Sequence, residues 1–191
     1  MPRPKQTRKE ELLDELIAYL AKHGVADLSL RPMAAATGTS ARLLIFHFGS
    51  KEKLLEEVLG EMQTRLQRSF TAMAQGERKG PLLRAFWDWA IAAPNYDMLR
   101  LLYQLHMLAT QSPKLYGRYL KRTSMDWLEL IQAAVPEPQR DPAFVTLLGA
   151  VFDGLFMELM STGDKRRTTA SLDTFIKLAQ LYVGSLPIPR R

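Results

Sequence analysis

The segment Ser29–Leu55, SLRPMAAATGTSARLLIFHFGSKEKLL, brings hydroxyl, imidazole and cationic side chains into one short stretch. The side chains whose types suit phosphate oxygens are Ser29, Thr39, Ser40, His47 and Lys51. Arg42 offers two parallel N–H groups that can bond O6 and N7 of guanine, and a phosphate contact is nearly as strong an alternative for it. These residue types indicate the binding of nucleic acid.

Capping and turn residues divide this segment into two short helices. Ser29 can cap the first helix by accepting a backbone N–H bond, and Pro32 falls in its first turn, where a missing N–H costs nothing. Gly38 suits the left-handed residue that ends a helix, and Ser40 can cap the second helix. Leu44 and Phe48, four residues apart, attach that second helix to the core. The pattern predicts a helix-turn-helix, whose second helix lies in the DNA major groove.

With Leu44 and Phe48 turned inward, the other residues of the second helix are candidates for contacts with DNA. Ala41, Leu43 and Ile45 can touch thymine methyl groups, although Leu43 or Ile45 can equally belong to the core. The candidates on and next to this helix are Thr39, Ser40, Ala41, Arg42, Leu43, Ile45, Phe46 and His47.

The same segment resembles the DNA-binding signature of the TetR family of transcriptional regulators. The matching positions are Ser29, Met33, Ala34, Gly38, Ser40, Leu44, His47, Phe48, Lys51 and Leu54. The chain departs from the signature at Thr37, Thr39 and Ile45, where the family usually has Ala, Val and Tyr. Ile45 lacks the hydroxyl that the tyrosine offers to phosphate. The alternative is a generic helical hairpin with a chance glycine turn.

A basic segment precedes the motif. Residues 1–9 contain Arg3, Lys5, Arg8 and Lys9 without any acid, so they supply four of the six net positive charges. Such an arm can contact phosphates or the minor groove, and Arg3 and Lys5 are its candidate residues. The alternative is a solvated, frayed terminus.

The composition limits the class of protein. The 191 residues suffice for one domain or two small ones, and 47% hydrophobic residues exclude a disordered chain. The chain contains no unbroken apolar run of about 18 residues, so we expect no membrane span. Its polar start does not resemble a secretory signal. Cysteine is absent, which excludes disulfides and thiolate chemistry and is compatible with a cytoplasmic location.

Glycine, proline and helical periodicity predict an all-α protein of nine helices, with no alternation long enough for a strand. The predicted helices are 7–22, two within 29–48, 50–75, 81–92, 95–110, 113–134, 141–161 and 169–183. Residues 1–54 form the predicted DNA-binding domain, 55–185 a domain for effector binding and dimerisation, and 186–191 a disordered tail. The resemblance implies the same nine helices.

The second region is rich in aromatic residues and methionine, which can line an adaptable apolar pocket. The candidates for ligand binding are Tyr103, His106, Met107, Trp127 and Phe156, placed between the fourth helix and the helices that carry them. At helical spacing such residues are more often plain core. The resemblance implies a small-molecule site in this region, so we expect a small apolar or aromatic effector.

The last two predicted helices are apolar over a wide arc, which predicts burial on two sides, one of them against a second copy of the chain. The alternative is a helix buried inside a monomer. No metalloprotease, P-loop or dinucleotide motif suggests an enzyme, a cofactor or a metal site. We therefore expect a homodimeric regulator, most simply a repressor, that binds a palindromic operator in double-stranded DNA. A DNA-binding architectural protein without an effector and an all-α enzyme are the alternatives.

Overall fold

The computed structural model describes residues 7–24, 29–76, 80–93, 95–135 and 140–184, which form nine α-helices and no strand. The helices are α1 (Arg8–His23), α2 (Leu30–Ala36), α3 (Ala41–Phe48), α4 (Lys51–Gln75), α5 (Leu82–Ala90), α6 (Asn95–Thr110), α7 (Pro113–Ala134), α8 (Pro142–Thr162) and α9 (Lys165–Gly184). The predicted all-α class is confirmed. The predicted disordered tail 186–191 lies outside the described residues.

Local capping fixes most helix ends where the sequence predicts them. Thr7 and Glu10 form a reciprocal capping box at the start of α1, and the N–H of Gly24 closes its end on the Leu20 carbonyl at 2.8 Å. Asp141 caps α8 by accepting the N–H of Phe144 at 3.0 Å. These bonds satisfy backbone groups that a helix end otherwise exposes.

The predicted start of α9 at residue 169 is wrong. The helix begins at Lys165, and the connection from α8 shortens to Gly163 and Asp164. Gly163 adopts a left-handed φ of 69°, and the Asp164 carboxylate accepts the N–H of Arg167 at 2.9 Å. Asp164 therefore caps the helix ahead of its basic first turn, which the prediction had assigned to a loop.

The chain divides into two compact units, Met1–Leu66 with Asp97–Arg122, and Gln67–Tyr96 with Thr123–Arg191. Helices α4 and α7 each contribute residues to both units. These units are defined by compactness, whereas the sequence analysis divided the chain by function at residue 54. That functional boundary stays a prediction.

The first unit has an aliphatic core. Leu16, Met33, Leu44 and Met62, from α1, α2, α3 and α4, are completely buried. Fully burying one such side chain stabilises a fold by about 1.5–3 kcal/mol, so this core holds α3 firmly in place. A salt bridge between Arg65 of α4 and Asp14 of α1 links two of these helices at the surface.

The second unit has an aromatic core. Phe86 stacks on Phe152 with ring centroids 4.3 Å apart, and Phe70 meets Phe86 edge to face at 4.8 Å. Trp87 of α5 is fully buried and donates its indole N–H to Thr169 of α9 at 2.9 Å. Helices α5 and α9 are thereby joined by both packing and a hydrogen bond.

Helix α8 is long and apolar enough, by length and composition, to cross a membrane, with a mean hydropathy of 1.7 over its most apolar 18 residues. The prediction of no membrane span required an unbroken apolar run, which Asp153 and Glu158 prevent. Only 28% of that window is buried within the chain. Most of this window is therefore not buried by its own chain.

Candidate nucleic-acid interface

A glycine turn joins α2 to α3, as the sequence predicts. Gly38 has a left-handed φ of 58°, and the N–H of Thr39 bonds the Ala34 carbonyl at 2.9 Å. Thr37, where the family usually has alanine, is buried, and its hydroxyl donates to the Met33 carbonyl at 3.0 Å. This departure from the family signature therefore leaves no buried hydroxyl unsatisfied.

One of the two serine caps predicted for the motif forms, and Ser50 caps the following helix in the same way. Ser40 accepts the N–H of Leu43 at 3.2 Å, and Ser50 accepts the N–H of Lys53 at 3.2 Å. Because Ser40 acts as an acceptor there, its O–H proton stays available to a phosphate oxygen. Ser29 occupies the N-cap position of α2, but its side chain makes no capping hydrogen bond, so that prediction is wrong.

Helix α3 has one buried face and one exposed face. Leu44 and Phe48 are 0% and 3% exposed, so both pack inward as predicted. Arg42, Leu43 and Phe46 are exposed and fall within one arc of the helix, because residues three and four apart are neighbours. We name these three residues the recognition face.

The remaining DNA candidates flank this face. Thr39, Ala41, Ile45, His47 and Lys51 are half-buried, whereas Ser29 and Ser40 are exposed. The rings of Phe46 and His47 meet edge to face at 5.4 Å. Every described candidate for DNA contact thus keeps some solvent exposure, which a contact with DNA requires.

The electrostatics of the motif favour an anion. From Ser29 to Lys51 the chain contains Arg31, Arg42 and Lys51 and no acidic residue. Arg31 is an exposed cation in the first turn of α2, and the sequence analysis did not name it as a candidate for DNA contact. The signal that could have identified it is the absence of any acidic residue that could neutralise a cation in this segment. The first acid, Glu52, has its pKa lowered by a bond from its own backbone N–H and by the Ser50 hydroxyl. Its charge is therefore held at the N-terminus of α4.

Half of the predicted basic arm belongs to α1. Arg8 pairs with Glu11 at 3.3 Å and Glu15 at 3.5 Å, and Lys9 pairs with Glu57 of α4 at 2.8 Å. Lys9 also lies 5.2 Å from the centre of the Phe48 ring. These two cations hold helices rather than extend as an arm. Arg3 and Lys5 lie outside the described residues.

The ligand candidates divide between the two units. Tyr103, His106 and Met107 lie on α6 in the first unit, with Met107 51% exposed. Trp127 and Phe156 lie in the second unit, in the aromatic core, where Phe156 is fully buried. Within the described part of the chain, no three potential metal-ligating side chains form a site.

Residues 12–58 match the family model of bacterial regulatory proteins of the tetR family, and this match contains the whole helix-turn-helix. No curated protein sequence matches the chain significantly. Solved structures share its fold across nearly the full length.

Three of these structures illustrate the likeness. A candidate transcriptional regulator from Pseudomonas aeruginosa PAO1 has a TM-score of 0.69 at 22% identity, over 91% of this chain and 90% of that one. The multidrug-binding protein EbrR, in complex with imidazole, has a TM-score of 0.67 at 21% identity over 100% of both chains. SmeT, the repressor of a multidrug efflux pump of Stenotrophomonas maltophilia, has 0.64 at 17% identity, over 97% and 98%.

The family model covers the segment in which the glycine turn, the helix caps and the recognition face were found. The structures compared share the fold of the chain beyond this segment as well. The chain therefore contains the DNA-binding domain that the tetR family model describes, within a fold that it shares with solved transcriptional regulators.

Proposed function

We propose that this regulator is a repressor that binds a palindromic operator as a homodimer and leaves it when a small apolar or aromatic effector binds. The observation that carries the proposal is the recognition face on α3, held by a buried aliphatic core and set in a segment without acidic residues. Arg42 bonds a guanine edge, while Arg31 and Lys51 contact phosphates on either side. Because its target is chromosomal DNA, the protein acts in the cytoplasm.

The homodimer is supported by the apolar surface of α8 and α9, which pack on each other in the second unit. The large apolar side chains exposed on these two helices are Leu147, Met157, Leu178, Leu181 and Tyr182. Large apolar side chains that stay exposed on two neighbouring helices favour an association surface. A two-fold interface also presents two recognition helices to the two halves of a palindrome.

The effector is supported by the aromatic core of the second unit. Trp89, Trp127 and Tyr96 are half-buried at its margin, and Trp127 lies 6.1 Å from Phe70 between ring centroids. Flat aromatic rings stack on such walls and bury apolar area worth about 25 cal/mol per Å². EbrR, which has the same fold, has been crystallised with ethidium and with proflavin. Tyr103, His106 and Met107 remain predicted ligand contacts.

The effector releases the DNA because it binds one conformation of the protein more tightly than the other. An effector that prefers a conformation with the two recognition helices wrongly spaced lowers the affinity for DNA by its preference for that state. An effector with equal affinity for both states changes nothing.

The test of the DNA function is a selection of binding sites by the full chain from a duplex library with 30 randomised base pairs. We expect a palindromic consensus whose affinity falls steeply with salt, with a slope of about −0.9 for each phosphate neutralised. Arg118, exposed on α7 outside the motif, provides the control variant Arg118→Ala, which should select the same consensus. Enrichment of no sequence would contradict sequence-specific regulation.

The test of the effector uses proflavin and ethidium as first probes. Binding should raise the melting temperature by mass action and release the protein from its selected operator. Trp127→Ala should weaken both effects while leaving operator affinity intact. If a broad panel of apolar compounds changes neither melting nor DNA binding, the constitutive architectural alternative is favoured.

A further inference from the structure

The recognition face is mainly apolar. Phe46 is 79% exposed and Leu43 is 49% exposed, although both lie on a helix that packs other large apolar residues inside. Phe46 lies one helical turn beyond Arg42 and three residues beyond Leu43, so the three side chains share one surface. The helix offers a single cation and two large hydrocarbon groups to whatever it binds.

The chemistry of the major groove selects what these hydrocarbon groups can contact. Phenylalanine and leucine carry no side-chain donor or acceptor, so neither can bond the polar edges of guanine, adenine or cytosine. Pressing them against such an edge removes water from a polar group without replacing its hydrogen bond. The C5-methyl group of thymine is the apolar feature of this groove.

We propose that Phe46, together with Leu43, determines operator specificity by packing against thymine C5-methyl groups. Each half-site then carries thymines beside the base pair that Arg42 contacts. This inference rests on the proposed operator binding and adds the bases that the site must contain. Ala41 and Ile45, the other candidates for methyl contacts, are half-buried at the flanks of this face and contribute less.

The experiment removes the methyl group alone. The selected operator is synthesised with deoxyuridine in place of each thymine in turn, which keeps the base pair and deletes the methyl. Burying one such carbon is worth about fourfold in Kd, so a symmetric pair of replacements should weaken binding about fifteenfold. Phe46→Ala should weaken binding to the natural operator by a similar factor.

Combining the Phe46 variants with the deoxyuridine operators shows whether Phe46 contacts the methyl group. Phe46→Ala should bind the deoxyuridine and thymine operators equally, whereas Phe46→Leu should keep most of the difference. Leu115→Ala, at an exposed leucine of α7 that is 62% accessible, should behave as the unaltered chain in both assays. Because Phe46 is exposed, all variants should melt within a few degrees of the unaltered protein.

Two results would overturn the inference. If Phe46→Ala weakens binding but the loss of the methyl affects both proteins equally, Phe46 contacts sugar or phosphate instead. The inference would also fail if the selected half-site has no thymine beside the guanine. In both cases sequence-specific DNA binding stands. A library that yields no consensus overturns the proposed function itself, and this inference with it.

Discussion

Replacing Gly38 by alanine separates backbone strain from side-chain crowding in the turn of the helix-turn-helix. Gly38 has φ of 58°, and a Cβ atom built there meets no atom within 4 Å. Steric contact therefore contributes nothing, and the cost is the left-handed conformation, about 1–2 kcal/mol for a residue with a Cβ. Alanine also restricts the unfolded chain, which returns about 0.4–1 kcal/mol. The net destabilisation is about 1 kcal/mol.

Gly117 provides a matched control, because the same substitution should have the opposite sign there. Its Cβ also meets no neighbour within 4 Å, but it lies inside α7 and does not have a positive φ. Gly117→Ala should stabilise the protein by about 0.5–1 kcal/mol, since alanine is the better helix former.

Thermal unfolding of the three proteins measures the difference. A change of 1 kcal/mol shifts the melting temperature of a protein of this size by about 2–4 °C, downward for Gly38→Ala and upward for Gly117→Ala. Gly38→Asn should fall near the unaltered protein, because asparagine tolerates the left-handed region. If Gly38→Ala is as stable as the unaltered chain, the turn does not hold the geometry described here.

Three further predictions concern binding and assembly. Deleting residues 1–6 spares the Thr7 cap and should lower the affinity for operator and random DNA alike. The salt slope should also fall by about 0.9 for each phosphate contact that is lost. An unchanged slope would show that the arm does not contact DNA. Arg42→Ala should cost about 1–3 kcal/mol on the operator and relax one base pair per half-site, whereas equal weakening on every sequence would show a phosphate contact. Sedimentation at micromolar concentration should give twice the chain mass of 21.7 kDa, and Leu181→Glu, at a side chain 72% exposed on α9, should give the monomer. A monomer before substitution would contradict the dimer.

Most helix ends could be predicted from the sequence because the interactions that set them are local. A cap or a glycine turn acts within four residues, so the serine at position 40 and the glycine at position 38 show their roles in the printed sequence. The start of α9 was missed for a related reason. The run of basic residues after Gly163 resembles a loop until Asp164 is considered as the cap.

Contacts between distant segments could not be predicted. Arg8 and Lys9 look like part of a basic arm, and only the folded chain brings Glu57 of α4 within 2.8 Å of Lys9. Surface ion pairs of this kind are worth about 1 kcal/mol or less, but they decide where a cation is held. The predicted arm is therefore shorter than its charge suggested.

The exposure of Phe46 could be predicted from its position on α3, although its residue type favours the interior. On a helix of eight residues, Leu44 and Phe48 already fill the inward face, so a third large apolar residue between them must lie outside. Helix α8 presents the same situation on a larger scale, since most of its apolar window is not buried by its own chain. When large apolar side chains are not buried by their own chain, we infer that a binding partner covers them. For α8 the proposed partner is a second copy of the chain, and for Phe46 it is the proposed methyl edge of the operator.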